Sequence, residues 1–329
     1  MTSFRTAEFH TAGEPFRIVT DGVPDLEGTT VLDKRAWCQE HLDPTRALLI
    51  NEPRGHADMY GGFPTSPDDS DGDLGVVFFH KDGFSTACGH GTIALVTWAI
   101  ESGRLPVTNG EEIDVVVDVP SGRLRTRARV GADGQVEAVK FWNVPAFVTG
   151  HGLAVPTSLG LFTATVSYGG AYYASVGLDA HALSPDSASL TDLISLGREI
   201  KAVLATHQAV KHPTDGRLSG LYGVIFHQDV TRSPLHQRNV TVFADGEVDR
   251  SPCGSGTSAR LAVLHHDGVL GVGETLLNEG IAGGQFSGCI VEVTEAGVVT
   301  SVEGTAYKTG EATFSLDPRD PLGSGFQLR

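Results

Sequence analysis

The chain has 329 residues and a formal net charge of −16 at neutral pH. This length exceeds one ordinary hydrophobic core and predicts two domains of about 150 residues each. Hydrophobic residues make up 40% of the chain and charged residues 19%, a balance that excludes a disordered protein. The acidic charge argues against nucleic acid and anionic membranes as partners, although a local pocket can still bind a small anion.

The sequence predicts many strands and few helices. Strands are expected where β-branched and aromatic residues cluster: 75–80, 114–119, 124–130, 136–142, 161–166, 223–227, 240–243 and 290–293. A helix is predicted over residues 92–100, an amphipathic helix over 192–206 and a third helix over 259–266. Residues 150–160 are rich in Gly, Pro, Ser and Thr, so a linker is predicted there.

The segment that begins at Cys88 is repeated at Cys253, about half the chain later. Both copies have the pattern Cys-Gly-x-Gly-Thr, and identities continue into the predicted helix that follows. The matching pairs are Cys88/Cys253, Gly89/Gly254, Gly91/Gly256, Thr92/Thr257, Ala94/Ala259, Gly103/Gly268 and Leu105/Leu270. Such self-similarity predicts a duplicated fold with two related lobes.

Both repeated cysteines are predicted where a loop enters a helix. A helix N-terminus favours a thiolate and also binds anions such as a carboxylate. The glycines of the motif allow backbone amides to approach a ligand closely. If one sulfur removes a proton as thiolate and the other supplies one as thiol, a carbon centre is inverted. Oriented backbone dipoles would stabilise the developing carbanion.

Two further side chains accompany these thiols. Asp249 lies just before Cys253 and can receive a substrate ammonium group, and His90 follows Cys88 by two residues. Cys38 and Cys289 lack such surroundings and are predicted to be structural. No cysteines form a Cys-x-x-Cys pair, so no metal site is predicted. A pyridoxal-phosphate enzyme needs a reactive lysine, and no lysine occurs in a recognisable motif. No cofactor is expected.

Other interpretations of the repeat stay open. The cysteines can be inert buried thiols, or the glycine-rich loops can bind phosphate, although neither loop has the Gly-Lys-Ser/Thr of a P-loop. A thiol hydrolase would use one cysteine with a base, which leaves the duplication unexplained. A ligand-binding protein that kept the fold without catalysis is the non-enzyme alternative.

The sequence resembles the proline racemase superfamily. The segments that carry the resemblance are residues 10–15 (HTAGEP), 51–61 (NEPRGHADMYG), 87–91 (ACGHG), 249–259 (DRSPCGSGTSA), 304–310 (GTAYKTG) and 316–318 (LDP). The resemblance implies the α/β (α+β) fold of diaminopimelate epimerase, with two pseudo-symmetric lobes that each wrap a mixed sheet on a central helix. It places the first lobe at residues 1–148, completed by about 300–329, and the second at 149–299.

The resemblance also implies the residues of the active site and a cofactor-independent reaction. Cys88 and Cys253 match the acid/base pair, and His90 and Asp249 match residues near the substrate nitrogen. The amides that match the carboxylate-binding group are those of Gly89, His90, Gly254 and Ser255. Pocket walls are expected near Tyr60, Phe84 and Tyr172.

The implied substrate is a small amino acid, proline or hydroxyproline. Residues 85–88 are similar to the trans-3-hydroxy-L-proline dehydratases, which typically lack the second cysteine. Because Cys253 is present, we favour an isomerase, specifically a 4-hydroxyproline 2-epimerase. The alternatives are a trans-3-hydroxy-L-proline dehydratase and then a proline racemase. We expect a cytoplasmic enzyme without nucleic-acid or membrane partners, because no apolar run or signal peptide occurs, and a homodimer stays open.

Overall fold

The computed structural model describes residues 3–328, which form two compact units. The first contains the chain up to Phe141 and the chain from Thr305 onward, and the second contains Trp142–Gly304. In each unit a mixed sheet packs around one buried helix, as the predicted fold class requires. Within the described residues, no helix combines the length and apolar character needed to cross a membrane.

The first unit contains a sheet, a central helix and two outer helices. Its strands are β1 (Ser3–Thr11), β2 (Glu14–Asp21), β3 (Tyr60–Thr65), β4 (Leu74–His80), β5 (Gly83–Phe84), β6 (Glu112–Val119), β7 (Gly122–Val130) and β8 (Val136–Trp142), with β18 (Ala306–Ser315) added from the end of the chain. Its helices are α1 (Val31–His41), α2 (Asp43–Ile50) and the central α3 (Gly89–Glu101).

The second unit has the same kinds of element. Its strands are β9 (Phe147–Thr157), β10 (Gly160–Tyr168), β11 (Tyr172–Gly177), β12 (Leu221–Arg232), β13 (Leu235–Phe243), β14 (Glu247–Asp249), β15 (Thr275–Glu279), β16 (Gln285–Thr294) and β17 (Gly297–Gly304). Its helices are α4 (Leu190–Leu204) and the central α5 (Gly254–His266), with short 3-10 turns at Gln208–Val210 and Gly216–Leu218.

The strand pairing repeats from one unit to the next. The first sheet has the order β18–β1–β2–β3–β4–β6–β7, in which only the β2–β3 and β4–β6 pairs are parallel. The second has the order β9–β10–β11–β12–β13–β15–β16, in which only β11–β12 and β13–β15 are parallel. The parallel pairs therefore fall at the same two places. This agreement supports the duplication that the cysteine motifs predicted.

The two central helices are buried on every side for most of their length. All residues of α3 from Gly89 to Ile100 are buried, which is the pattern of a helix enclosed by other elements rather than of a surface helix. Its threonines satisfy their hydroxyls internally: Thr97 Oγ1 donates to the carbonyl of Ile93 at 2.9 Å. The helices begin three to five residues earlier than the predicted starts at residues 92 and 259, so the glycines of both motifs are helical.

One sequence prediction about the chain's organisation is wrong. Residues 150–160, expected to form a linker, lie in β9, in the two-residue turn after it and in the first residue of β10. These strands pair as an antiparallel hairpin, with Gly160 opposite Thr157. The glycines and Pro156 suggested a loop, but backbone pairing with β10 overrides that local preference.

Candidate active site

The first candidate thiol, Cys88, is the N-cap of α3. Its sulfur accepts a hydrogen bond from the Gly91 amide at 3.3 Å, which satisfies one of the amides left unpaired at a helix start. The His90 ring lies beside the same sulfur, with Nε2 at 3.4 Å and Nδ1 at 3.6 Å from it. Cys88 is only 5% exposed. An amide donor and the helix dipole both stabilise negative charge on this sulfur.

Aromatic rings hold His90 in place. Its ring packs edge-on against Tyr60 at 5.0 Å and against Phe16 at 5.8 Å between ring centroids. The His90 carbonyl accepts a hydrogen bond from Thr11 Oγ1 at 2.9 Å. The Tyr60 hydroxyl is hydrogen-bonded to Ser85 Oγ. The imidazole therefore has a fixed position next to the thiol, supported by residues from the HTAGEP segment and from β3.

The second candidate thiol, Cys253, is the N-cap of α5 and has an unusual backbone. Its φ is 62° and its ψ is 103°, a left-handed region that is rare for residues other than glycine. Its amide donates to Ser251 Oγ at 3.1 Å, and the Ser251 amide donates to Asp249 Oδ1 at 2.8 Å. These hydrogen bonds link the Asp249 carboxylate to the backbone of Cys253 through the intervening Ser251.

The carbonyl of Pro252, the residue before Cys253, is also held by hydrogen bonds. It accepts hydrogen bonds from Asn239 Nδ2 at 2.8 Å, from Thr257 Oγ1 at 3.3 Å and from Asn278 Nδ2 at 3.4 Å. Asn278 Nδ2 also donates to Thr257 Oγ1 at 2.9 Å. Left-handed backbone persists only where surrounding contacts determine it, and strands β13 and β15 supply those contacts here.

The position of each sulfur leaves no room for a side chain at the second glycine of its motif. A Cβ placed on Gly91 would lie 2.8 Å from Cys88 Sγ, and a Cβ on Gly256 would lie 2.8 Å from Cys253 Sγ. Both thiols thus fold back over the first turn of their helix at the same distance. A methyl group at either position would displace the sulfur, which gives a physical reason for the pattern Cys-Gly-x-Gly in both halves.

The surroundings of Cys253 favour the protonated thiol. Burial, and next the negative charge of Asp249, raise the pKa of the Cys253 thiol far above its ordinary value. The Tyr173 hydroxyl, 3.6 Å from the sulfur, acts in the opposite direction with a smaller effect. Cys253 is therefore suited to donate a proton in the resting protein.

The two remaining cysteines have no comparable setting. Burial alone raises the pKa of the Cys38 thiol to about 12. Cys289 is half-buried in β16 and its thiol donates to the carbonyl of Ile290 at 3.5 Å. Neither lies at a helix N-terminus, in agreement with the structural role predicted for both. All four cysteines are thiols rather than disulfides.

The structure groups the predicted residues by unit. Cys88, Gly89 and His90 meet at the start of α3 in the first unit. In the second unit, Asp249 ends β14, while Cys253, Gly254 and Ser255 form the start of α5. The roles assigned to these seven residues stay a prediction.

Sequence reasoning missed Tyr173 and named its neighbour Tyr172 instead. The Tyr172 hydroxyl donates to the carbonyl of Lys211 at 3.1 Å, whereas the Tyr173 hydroxyl lies beside Cys253 and Ser255. Successive side chains of a strand point to opposite faces, so the choice between these two tyrosines depended on the strand register. The register is fixed by pairing with β12, which the local sequence does not reveal.

One group of described residues has metal-ligand chemistry outside this region. His151, His266 and Asp267 are exposed, and their ligand atoms lie within 4.8 Å of one another. His151 Nε2 is 3.0 Å from Asp267 Oδ1, and His266 ends α5. A histidine–aspartate hydrogen bond with a second imidazole at a helix C-terminus accounts for this cluster without an ion.

Comparison with known proteins identifies the family. The family model described as proline racemase matches residues 6–327. A trans-3-hydroxy-L-proline dehydratase of Bacillus cereus is 43% identical over 329 residues, covering 99% of this chain and 98% of that protein. A 3-hydroxyproline 2-epimerase of Burkholderia multivorans is 44% identical over 334 residues, with the same coverage.

A solved structure supports the same assignment. The hydroxyproline epimerase of Agrobacterium vitis, crystallised with trans-4-hydroxy-L-proline, has a TM-score of 0.93 and 28% identity, and the match covers 100% of this chain and 95% of that one. The predicted fold and family resemblance are both confirmed. The named relatives are isomerases and lyases, so the prediction of an enzyme, an isomerase with a lyase as alternative, is also confirmed. The chain belongs to the proline racemase family of enzymes.

Proposed function

We propose that this enzyme removes the α-proton of trans-3-hydroxy-L-proline and inverts that carbon, acting as a 3-hydroxyproline 2-epimerase. The observation that carries the proposal is the pair of buried thiols, each the N-cap of a buried helix and each bent over a glycine. A hydroxyl at C3 of the ring is favoured over C4 because the relatives that are 43–44% identical are named for 3-hydroxyproline. The 4-hydroxyproline 2-epimerase predicted from sequence is the runner-up.

Inversion needs a base on one face of the α-carbon and an acid on the other. We assign Cys88 as the base, because the His90 ring lies beside its sulfur in addition to the amide donor and the helix N-terminus that stabilise a thiolate. Cys253 is the acid, because its surroundings keep it protonated. Cys88 takes the proton from the L-substrate and Cys253 returns one to the opposite face. The thiols then carry exchanged protonation states, and the reverse reaction restores them.

The remaining predicted residues bind the substrate in this proposal. The amides of Gly89, His90, Gly254 and Ser255 hold the carboxylate, where they also stabilise the charge that develops on it as the α-proton leaves. His90 and Asp249 contact the ring nitrogen. Because both thiols must stay reduced, the proposal places the enzyme in a reducing compartment such as the cytoplasm. The chemistry uses no cofactor.

A second candidate reaction, dehydration of the same substrate, is favoured by the names of several relatives at 43% identity. In trans-3-hydroxy-L-proline the 3-hydroxyl is trans to the carboxylate and so lies on the same face as the α-proton. The base on that face can take the α-proton and return it to the departing hydroxide as water. The sulfur on the other face has no part in this reaction, so dehydration needs only one thiol.

Proton NMR of the reduced protein in D₂O separates these reactions. Loss of the α-proton signal of trans-3-hydroxy-L-proline, with growth of the 2-epimer that carries deuterium, is the expected result. Growth of a cyclic imino acid that lacks the 3-hydroxyl would instead make the enzyme a dehydratase. Epimerisation of trans-4-hydroxy-L-proline with no reaction of the 3-hydroxy compound would instead identify a 4-hydroxyproline 2-epimerase. No reaction with either compound or with L-proline would contradict the assignment to prolyl substrates.

A further inference from the structure

Cys253 lies beside a pair of buried hydroxyl groups. Its sulfur is 3.6 Å from the Tyr173 hydroxyl, which is 2.7 Å from Ser255 Oγ. Tyr173 is fully buried, and Ser255 is 3% exposed. Cys253, Tyr173, Ile225 and two alanines belong to one cluster of buried residues, so water is scarce around this hydroxyl pair. Hydrogen bonds between polar groups are strong where water is scarce.

The first unit has no such hydroxyl at the matching place. Phe16 of β2 pairs with Tyr60, which pairs with the last residue of β4. Tyr173 of β11 pairs with Gly223, which pairs with the last residue of β13. Phe16 and Tyr173 are therefore equivalent in the two repeats. The ring of Phe16 packs on Gly91 beside Cys88, but it offers no hydrogen bond.

The two thiols thus have different partners at equivalent positions. Cys88 has an imidazole two residues later, His90, and the apolar ring of Phe16 from β2. Cys253 has Ser255 two residues later and the phenol of Tyr173 from β11. A thiolate at Cys253 would form in a buried site under the repulsion of the Asp249 carboxylate, so it needs a hydrogen-bond donor.

We propose that Tyr173 is a positioning residue that lets Cys253 act as a base, by donating its hydroxyl proton in a hydrogen bond to the Cys253 thiolate. In the thiol state, the Cys253 S–H donates to the Tyr173 oxygen and the Tyr173 O–H donates to Ser255 Oγ. In the thiolate state, the Tyr173 O–H turns to the sulfur. The proton stays on Tyr173 throughout, so the Tyr173 hydroxyl rotates each time Cys253 gains or loses its proton.

This arrangement accounts for a reversible two-thiol reaction. After the L-substrate has been inverted, Cys253 is the thiolate and must remove the proton for the return reaction. A hydrogen bond to a charged acceptor is stronger than one between neutral groups, so the Tyr173 hydroxyl lowers the free-energy cost of forming that thiolate. The catalytic part of the inference rests on the proposed epimerisation, whereas the effect on the thiolate does not.

The test compares Tyr173→Phe with Tyr172→Phe. Both remove one buried phenol oxygen from adjacent residues of β11, but only Tyr173 is near the thiol. Alkylation by iodoacetamide is followed peptide by peptide by mass spectrometry across a range of pH. We expect Tyr173→Phe to move the alkylation profile of Cys253 to higher pH and to slow its reaction at fixed pH by roughly 10-fold or more, the usual loss for a hydrogen bond to a charged group. The profile of Cys88 should not move.

A second variant should shift the pH profile of Cys253 alkylation in the opposite direction. Ser255→Ala removes the acceptor that competes with the sulfur for the Tyr173 proton, so the Cys253 profile should move to lower pH. Epimerisation by Tyr173→Phe should fall by about the same factor in both directions, since the equilibrium between epimers is unaffected. An unchanged Cys253 profile in Tyr173→Phe, or an equal change in Tyr172→Phe, would overturn the inference. If the Cys253 alkylation profile shifts in Tyr173→Phe but the parent protein epimerises no substrate, the hydrogen bond from Tyr173 to the thiolate is supported and only the proposed function is rejected.

Discussion

Replacing Gly256 by alanine tests whether the thiol position depends on the missing Cβ. The new methyl carbon would lie 2.8 Å from Cys253 Sγ and 3.1 Å from Ile225 Cδ1, whereas ordinary contacts begin near 3.4 Å. The sulfur must therefore move by about 0.6 Å or more. Extra volume in a packed interior costs about 1–3 kcal/mol. Replacing a helical glycine recovers about 1 kcal/mol, so the net loss of stability should be about 0–2 kcal/mol.

The variant should lose much of its epimerisation rate even though its free energy of unfolding changes little. A displacement near 1 Å of a reacting group can reduce a rate about 10²-fold. We expect Gly256→Ala to melt close to the parent protein and to lose epimerisation about 10- to 100-fold. Gly216→Ala is the matched control in the same unit, because no heavy atom lies within 4 Å of its added Cβ. That control should keep both stability and activity.

The equivalent variant in the first repeat should behave differently in stability. A Cβ on Gly91 would lie 2.8 Å from Cys88 Sγ and also 2.5 Å from Cε2 of the fully buried Phe16 ring. Since the ring has little room to retreat, Gly91→Ala should cost stability at the upper end of the range. Melting curves and NMR exchange assays in D₂O measure both effects. Activity of Gly256→Ala within about threefold of the parent would show that catalysis does not depend on the position of the Cys253 sulfur.

Three further predictions follow from the site. At neutral pH iodoacetamide should label Cys88 before Cys253, because burial and the charge of Asp249 raise the pKa of the Cys253 thiol. The rate of Cys253 labelling should rise with pH. Faster labelling of Cys253 than of Cys88 would contradict the assignment of acid and base. Asn278→Ala removes two hydrogen bonds near Cys253 and should lower the free energy of unfolding by about 1–3 kcal/mol in urea titrations, whereas exposed Asn109→Ala should have no effect. Dialysis against EDTA should leave the exchange rate unchanged, because thiols perform the proton transfers; loss of activity that zinc restores would contradict this.

The repeat was accessible from sequence because both copies must meet the same steric requirement. Cys88 and Cys253 each bend over a glycine, and the identical spacing of the two motifs reflects that shared geometry. The start of each helix was placed too late because glycine disfavours helices on intrinsic propensity. Here close approach of the sulfur outweighs that preference, so the glycines lie in the first helical turn.

Other features depend on contacts between segments that are distant in sequence. The strained backbone of Cys253 is set by Asn239 and Asn278, which no local pattern connects to the thiol. The choice of Tyr173 over Tyr172 depends on the register of β11 against β12. Segment 150–160 has the composition of a loop but pairs as a hairpin. Long-range pairing decided each of these features.

The most direct test of the central claim is α-proton exchange of trans-3-hydroxy-L-proline in D₂O, followed by NMR for the parent protein, Cys88→Ser and Cys253→Ser. We expect epimer formation by the parent and a loss of about 10²-fold or more in each variant, because inversion needs both an acid and a base. If Cys253→Ser still formed the epimer at the parent rate, the two-thiol mechanism would be wrong.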